Sequence, residues 1–209
     1  MTAVSSIVQT ELKDMSEQKV RLWLIRHGET DWSLSGAHTS RTDIPLTNRG
    51  RERAAHMAEH LRQQKFALVL TSPRQRARET CGITGYGEVA QVDPNLSEWD
   101  YGEYEGRTTA DIRKEQPGWT IWKDNPRDGE TLAQVRARAQ SVVDRSTAAV
   151  GQVALFSHAH FLRILAATWI GLPAEAGSLL ALGTGSVSTL GFEREARVIE
   201  TWNRSFELE

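Results

Sequence analysis

The stretch "LIRHGET" (24–30) places Arg26 and His27 directly behind an apolar run, with Gly28 next and no polar spacer. Two later stretches share that plan. "LVLTSPRQRARET" (68–80) passes from apolar residues to Ser72, Pro73 and Arg76, and "VALFSHAH" (153–160) passes to Ser157, His158 and His160. At least two histidines and two arginines therefore follow three apolar runs. This set suits a phosphate monoester, which carries close to two negative charges and whose oxygens match the planar donor fork of arginine. A neutral imidazole is a competent nucleophile, and holding it in line with phosphorus removes the entropy cost of encounter. On this reading Gly28 lets the backbone turn tightly beside the substrate, where a side chain would obstruct.

Attack by His27 would form a phosphohistidine and expel an alkoxide, so the site needs an acid. "LSEWDYGEYEG" (96–106) offers Glu98, with Asp100, Glu103 and Glu105 as rivals. Beside a dianionic phosphate a carboxyl group can stay protonated close to neutral pH, as a general acid requires. A second reading of Glu98 is structural, as an ion-pair partner of Arg76.

The elements that must position these groups are legible from periodicity. Val20–Ile25, Ala67–Leu70 and Val153–Phe156 read as buried strands. Helical spacing follows in 47–64 (Ala54, Met57, Ala58, Leu61), in the short 74–81, and in Phe161, Leu162, Leu165 and Trp169 before Gly171 and Pro173. "TLAQ" offers a capping box between Thr131 and Gln134, ahead of Leu132, Val135, Ala139, Val142 and Val143. "SVSTLGFE" and "ARVIETW" alternate as a β-hairpin or edge strands. The expected fold class is α/β, a three-layer α/β/α sandwich with a mostly parallel central sheet and a site beyond the carboxyl ends of its strands. Residues 1–19 are expected to be a flexible N-terminal segment and 20–209 a single domain. Within it, 93–130 carries Trp99, Tyr101, Tyr104, Trp119 and Trp122 with little periodicity. That stretch reads as a lid-like excursion over the site, with a packed surface loop as the alternative.

The 209 residues are 39% hydrophobic and 25% charged, an ordinary globular mixture. The single Cys81 excludes an internal disulfide and falls short of a structural zinc site. A net charge of −2 gives no footprint for nucleic acid or an anionic membrane. No apolar stretch reaches membrane-spanning length, and the first 19 residues lack the apolar core of a signal peptide, so the expected location is cytoplasmic. "HMAEH" (56–60) matches an inverted zinc-protease pattern, but it precedes the second strand and has no third ligand, so it reads as an exposed helix face. "GTGSVSTLG" (183–191) lacks the glycine register of a dinucleotide loop and precedes a strand. A cationic rim disfavours a metal, and none is expected.

These motifs, in this order, resemble the histidine phosphatase superfamily, also called phosphoglycerate-mutase-like, from Arg26 to about residue 190. The resemblance implies that His27 is phosphorylated, that Arg26 and Arg76 clamp the phosphate with His158 against it, and that Glu98 donates the proton. "TDIPLTNRG" (42–50) and "DGET" (128–131) match recurrent family pieces. The implied substrate-binding set is Ser33, Thr39, Tyr101 and His160; Ser33 stands where many relatives have Asn, and His160 where Gly is common. The longer stretches look most like the phosphatase branch that includes sedoheptulose 1,7-bisphosphatase and broad-specificity acid phosphatases. That branch implies metal-independent hydrolysis of small phosphomonoesters, sugar phosphates among them, with no cofactor and a small phosphorylated metabolite as partner. A cofactor-dependent phosphoglycerate mutase is the alternative, but those enzymes carry an insertion and an adjacent arginine pair between the acid and the second histidine, which this chain lacks. A third reading, a non-catalytic binder of phosphate ligands, leaves no use for an acid at Glu98. The edge-like C-terminal strands offer a surface for a homodimer.

Overall fold

The computed structural model describes residues 19–206, so the expected N-terminal segment, Lys19 apart, lies outside the described residues. Six strands form one sheet: β1 (Arg21–Arg26), β2 (Phe66–Thr71), β3 (Gln91–Val92), β4 (Gln152–Ser157), β5 (Ser186–Glu193) and β6 (Ala196–Ser205). Their order is β3-β2-β4-β1-β5-β6. The first four are parallel, and β5 and β6 add an antiparallel hairpin beside β1. The helices are α1 (Asp31–Ser35), α2 (Asn48–Leu61), α3 (Gln75–Ile83), α4 (Thr109–Glu115), α5 (Leu132–Thr147) and α6 (Ala159–Trp169). No helix among the described residues is long and apolar enough to cross a membrane.

Side chains alternate across the sheet and build two cores. Leu22, Leu24, Val153 and Leu155 meet Val135, Ala139 and Val142 of α5 and Phe161 and Leu165 of α6. From the opposite face, Ile25, Val69, Ala154 and Phe156 meet Ala54, Met57 and Leu61 of α2 and Cys81 of α3. The three-layer sandwich is thus the one periodicity predicts. Local chemistry starts the helices: Thr47 Oγ1 accepts the Gly50 N–H at 2.9 Å, and Thr131 and Gln134 close a reciprocal capping box. Register does the rest. Arg26 pairs with Ser157 and Thr71 with Phe156, so β1, β2 and β4 finish level and the residues after them share one rim.

Three expectations are corrected. The C-terminal strands form the expected hairpin but are not both edges: β5 lies between β1 and β6, with Ser186–Gly191 buried, and of the two only β6 is a sheet edge. The aromatic excursion does not stand over the site as a separate flap. Trp99, Tyr101, Tyr104, Ile112, Trp119 and Ile121 belong to the same core as α5 and α6, because their apolar faces have nowhere drier to go. Its polar backbone is tied down by Arg138, which donates to the carbonyls of Asn95 (2.7 Å) and Ser97 (3.0 Å) and grips Glu130 with two bonds of 2.7 Å. The third correction concerns Gly28. A Cβ there would lie 2.6 Å from the carbonyl oxygen of Gly50, and a Cβ on Gly50 would lie 2.3 Å from that of Glu29. The missing side chain admits the backbone of α2 rather than a substrate.

That contact is further fixed by Thr47, whose N–H donates to the Glu29 carbonyl (2.9 Å) and whose hydroxyl donates to the Glu29 carboxylate (2.8 Å). Gly50→Ala is therefore expected to destabilise the fold by about 1–3 kcal/mol, the usual range for overpacking. Gly82→Ala, at a helical position with open space around it, is the matched control and is expected to be neutral or mildly stabilising. Denaturant midpoints of the two variants decide the matter; equal midpoints would contradict the close-approach account.

Candidate active site

His27 follows β1 and is buried, with 6% of its surface exposed. Its Nδ1 lies 2.7 Å from the Gly28 carbonyl oxygen. A carbonyl can only accept, so Nδ1 carries the proton and Nε2 presents a lone pair. Arg26 donates through Nη1 to the Leu182 carbonyl, while its Nε is buried without a partner. Arg76 is fully buried on α3. It donates from Nε to His158 Nδ1 (3.2 Å), from Nη1 to the Thr42 carbonyl (3.2 Å) and from Nη2 to the Thr39 carbonyl (3.1 Å). His158, also fully buried, faces the His27 ring at a centroid distance of 5.1 Å. With Nδ1 accepting from Arg76, its Nε2–H donates to Ser72 Oγ at 2.8 Å. Both ring nitrogens are engaged, so in this arrangement His158 holds Arg76 and brings no charge of its own.

Glu98 takes a place that helix geometry leaves open. The first N–H groups of a helix lack partners within it, and His158 at the N-cap of α6 supplies no side-chain acceptor. Glu98 Oε1 accepts from Phe161 N (2.9 Å) and from Trp99 N (2.9 Å), and Oε2 accepts from His160 N (3.1 Å). Three N–H groups thus hold the carboxylate in one orientation, with acceptor capacity left on Oε2. It forms no ion pair with Arg76. Its rivals are engaged elsewhere: Asp100 pairs with Arg41 at 2.6 Å, Glu103 with Arg127 at 3.8 Å, and Glu105 binds backbone N–H groups of Ser40 and Thr42.

Arg26, His27 and Glu98 share a cavity of about 230 Å³ with all four expected substrate-binding residues, Ser33, Thr39, Tyr101 and His160. Arg76 and His158 are not among its lining residues, although the His158 ring faces that of His27. The Ser33 hydroxyl is taken up by the cap of α1, donating to the Thr30 carbonyl (2.8 Å) and accepting the Thr30 N–H (2.9 Å). Thr39 Oγ1 donates to the Ala37 carbonyl at 3.0 Å. Tyr101 Oη and His160 Nδ1 are 2.6 Å apart. His38 and Trp32 also line the cavity and were not anticipated, since only the folded loop turns them inward. A larger hollow of about 580 Å³ near Lys19, Lys65 and Arg194 gathers none of these groups.

Burial dominates the electrostatics. Desolvation, then Arg76 and Arg26, holds His27 well below the usual imidazole range, and desolvation and Arg76 do the same to His158. Desolvation and Arg163 lower His160, while desolvation lowers His38 to about 4 against the opposing charge of Glu105. Desolvation also lowers Arg26 to about 10, against the opposing charge of Glu98. Burial and Glu98 push Tyr101 well above its ordinary value, so it stays a phenol.

Four histidines that the fold holds neutral have a consequence for stability. Below about pH 6.5 the unfolded chain takes up protons that the folded chain refuses, so stability falls with falling pH until each folded-state value is reached. For His38 the window runs from 6.5 down to about 4. His38→Phe is expected to flatten the dependence of unfolding free energy on pH in that window by about 1.4 kcal/mol per pH unit. Denaturant titrations between pH 7 and 4.5 measure this, and an unchanged slope would contradict a neutral buried His38.

Comparison with known proteins gives the family. A sequence profile of the histidine phosphatase superfamily (branch 1) matches residues 22–205. An acid phosphatase of Mycobacterium tuberculosis is 39% identical over 187 residues, covering 88% of this chain and 92% of that one. Sedoheptulose 1,7-bisphosphatase of Saccharomyces cerevisiae is 34% identical over 185 residues, 73% of this chain and 68% of its own. A solved structure from an open reading frame of Mycobacterium tuberculosis superposes with a TM-score of 0.84 at 38% identity, over 90% of this chain and 98% of that chain. With the profile spanning β1 to β6 and a relative this similar along nearly its whole length, the chain belongs to the histidine phosphatase superfamily.

Proposed function

We propose that the protein is a metal-independent phosphatase that hydrolyses small phosphomonoesters, sugar phosphates among them, by double displacement. One observation carries the reading. Arg26 and Arg76 flank a neutral imidazole, and neither has a carboxylate within ion-pair distance among the described residues. A buried and a half-buried guanidinium without a counter-ion call for an anion, and a phosphoryl group supplies it.

In the first step His27 Nε2 attacks phosphorus, the P–O ester bond breaks, and Glu98 gives its proton to the departing alkoxide. In the second step water attacks the phosphohistidine, Glu98 takes the water's proton, and the P–N bond breaks to return a neutral His27. Arg26, Arg76 and His158 surround the phosphoryl oxygens, with His158 Nε2–H exchanging Ser72 for one of them. Electrostatic clamping is the largest contribution, because phosphoryl transfer asks little covalent chemistry of the protein. Ser33, Thr39, Tyr101 and His160 wall the side from which the leaving group departs. The size of the cavity and the names of the two relatives, an acid phosphatase and a sugar bisphosphatase, support a small phosphorylated metabolite as substrate.

The test is phosphate release in EDTA from phosphorylated sugars, p-nitrophenyl phosphate, and 3-phosphoglycerate with and without 2,3-bisphosphoglycerate. Release is expected to persist in EDTA and to drop by about a thousandfold or more in His27→Ala. Loss of activity in EDTA would overturn the metal-free mechanism. Isomerisation of 3-phosphoglycerate without net phosphate release would establish a mutase instead. Binding of phosphate with no turnover on any substrate would leave only the binder.

A further inference from the structure

We infer that Glu105 is a positioning residue for Arg76 and acts on it through the backbone of residues 39–42. The inference rests on the reading of Arg76 as part of the phosphate clamp. Glu105 closes the 3-10 turn Gly102–Tyr104 and turns its carboxylate onto the loop before α2. Oε1 and Oε2 accept the Ser40 N–H at 2.9 and 3.0 Å, and Oε1 accepts the Thr42 N–H at 3.0 Å. The carbonyls that hold Arg76 belong to Thr39 and Thr42. The Thr39 carbonyl and the Ser40 N–H are two ends of one planar peptide. Glu105 therefore pulls on one end of a rigid plate whose other end carries the guanidinium. Hydrogen bonding at the N–H also polarises the amide and strengthens its carbonyl as an acceptor.

The loop does not need Glu105 merely to stay in place. The N–H of His38 donates to the Arg107 carbonyl (2.9 Å), the N–H of Gly106 donates to the His38 carbonyl (2.8 Å), and Ala37 bridges Thr108. Those contacts fix where the loop runs, while the Glu105 carboxylate fixes which way the Thr39–Ser40 peptide faces. Glu105 pairs with no cation among the described residues. A carboxylate placed directly on Arg76 would cancel the charge a phosphoryl group needs. Carbonyl dipoles aim the guanidinium and leave its charge intact, with the carboxylate one peptide further back.

The experiment compares Glu105→Gln with the wild-type chain, alone and on an Arg76→Lys background. It reads kcat and KM for p-nitrophenyl phosphate and an alkyl phosphate, affinity for inorganic phosphate by calorimetry, and the thermal midpoint. Glu105→Gln is expected to lower kcat about tenfold on both substrates and to weaken phosphate binding several-fold, with the midpoint within a few degrees of wild type. On the Arg76→Lys background the same change is expected to add little, because the two residues act as one unit. Glu105→Asp, which keeps the charge, is expected to recover part of the loss. Full additivity of the two substitutions would overturn the inference, as would wild-type kinetics and affinity in Glu105→Gln. Loss confined to the alkyl phosphate would also overturn it, making Glu105 the proton donor. If the wild-type chain hydrolyses no phosphomonoester, the phosphatase reading fails by itself, and calorimetric phosphate affinity still decides the role of Glu105.

Discussion

A guanidinium with no exposed surface and no carboxylate partner has to be held by dipoles, and much of the structure around Arg76 meets that demand. Two carbonyls, one imidazole nitrogen and the start of α3 define its position. The imidazole can serve as an acceptor only because burial keeps His158 neutral, and it keeps the right tautomer because Ser72 takes the proton on its far side. Those partners come from three separate parts of the chain. Thr39 and Thr42 belong to the loop after α1, Ser72 follows β2, and His158 follows β4. The level ends of the central strands are what make such a meeting possible.

The same economy of partners couples the acid to the second histidine. Glu98 receives two of its three hydrogen bonds from the first turn of α6, the helix that begins directly after His158. Arg138 on α5 fastens the backbone on either side of Glu98. The carboxylate and His158 are therefore referenced to the same helix end. A shift of α6 would carry both together, which preserves their relation to each other more strictly than their relation to His27.

Much of this was readable in the chain. The apolar runs became β1, β2 and β4, the capping box at Thr131 formed, and the residues after the three strands met at one end of the sheet. What could not be read shares a physical cause: the sequence shows residue types but not what lies across a contact. Gly28 marked a close approach, yet only the fold shows that the approaching backbone belongs to Gly50. Tyr101 and Trp99, flanked by carboxylates, look like surface residues in one dimension, although their rings enter the core. His38 gave no signal, because its burial comes from Tyr101 and Trp119, which are distant in sequence. Glu105 registered only as a candidate acid, since its grip on Ser40 and Thr42 depends on a loop conformation that no periodicity encodes.

The strand order also governs how the molecule can be made. β1 carries the Arg26–His27 pair at its end and sits between β4 and β5, neither of which exists until the chain has been synthesised past Gln152 and Ser186. A chain emerging from the ribosome has to keep the apolar Leu22–Ile25 segment unpaired until those later segments have emerged. Closing those two ladders also requires the ends of long loops to meet, which slows folding relative to a sheet built from sequence neighbours. Synthesis therefore leaves the site incomplete after β1 has been made, because β1 waits for partners encoded far downstream of it.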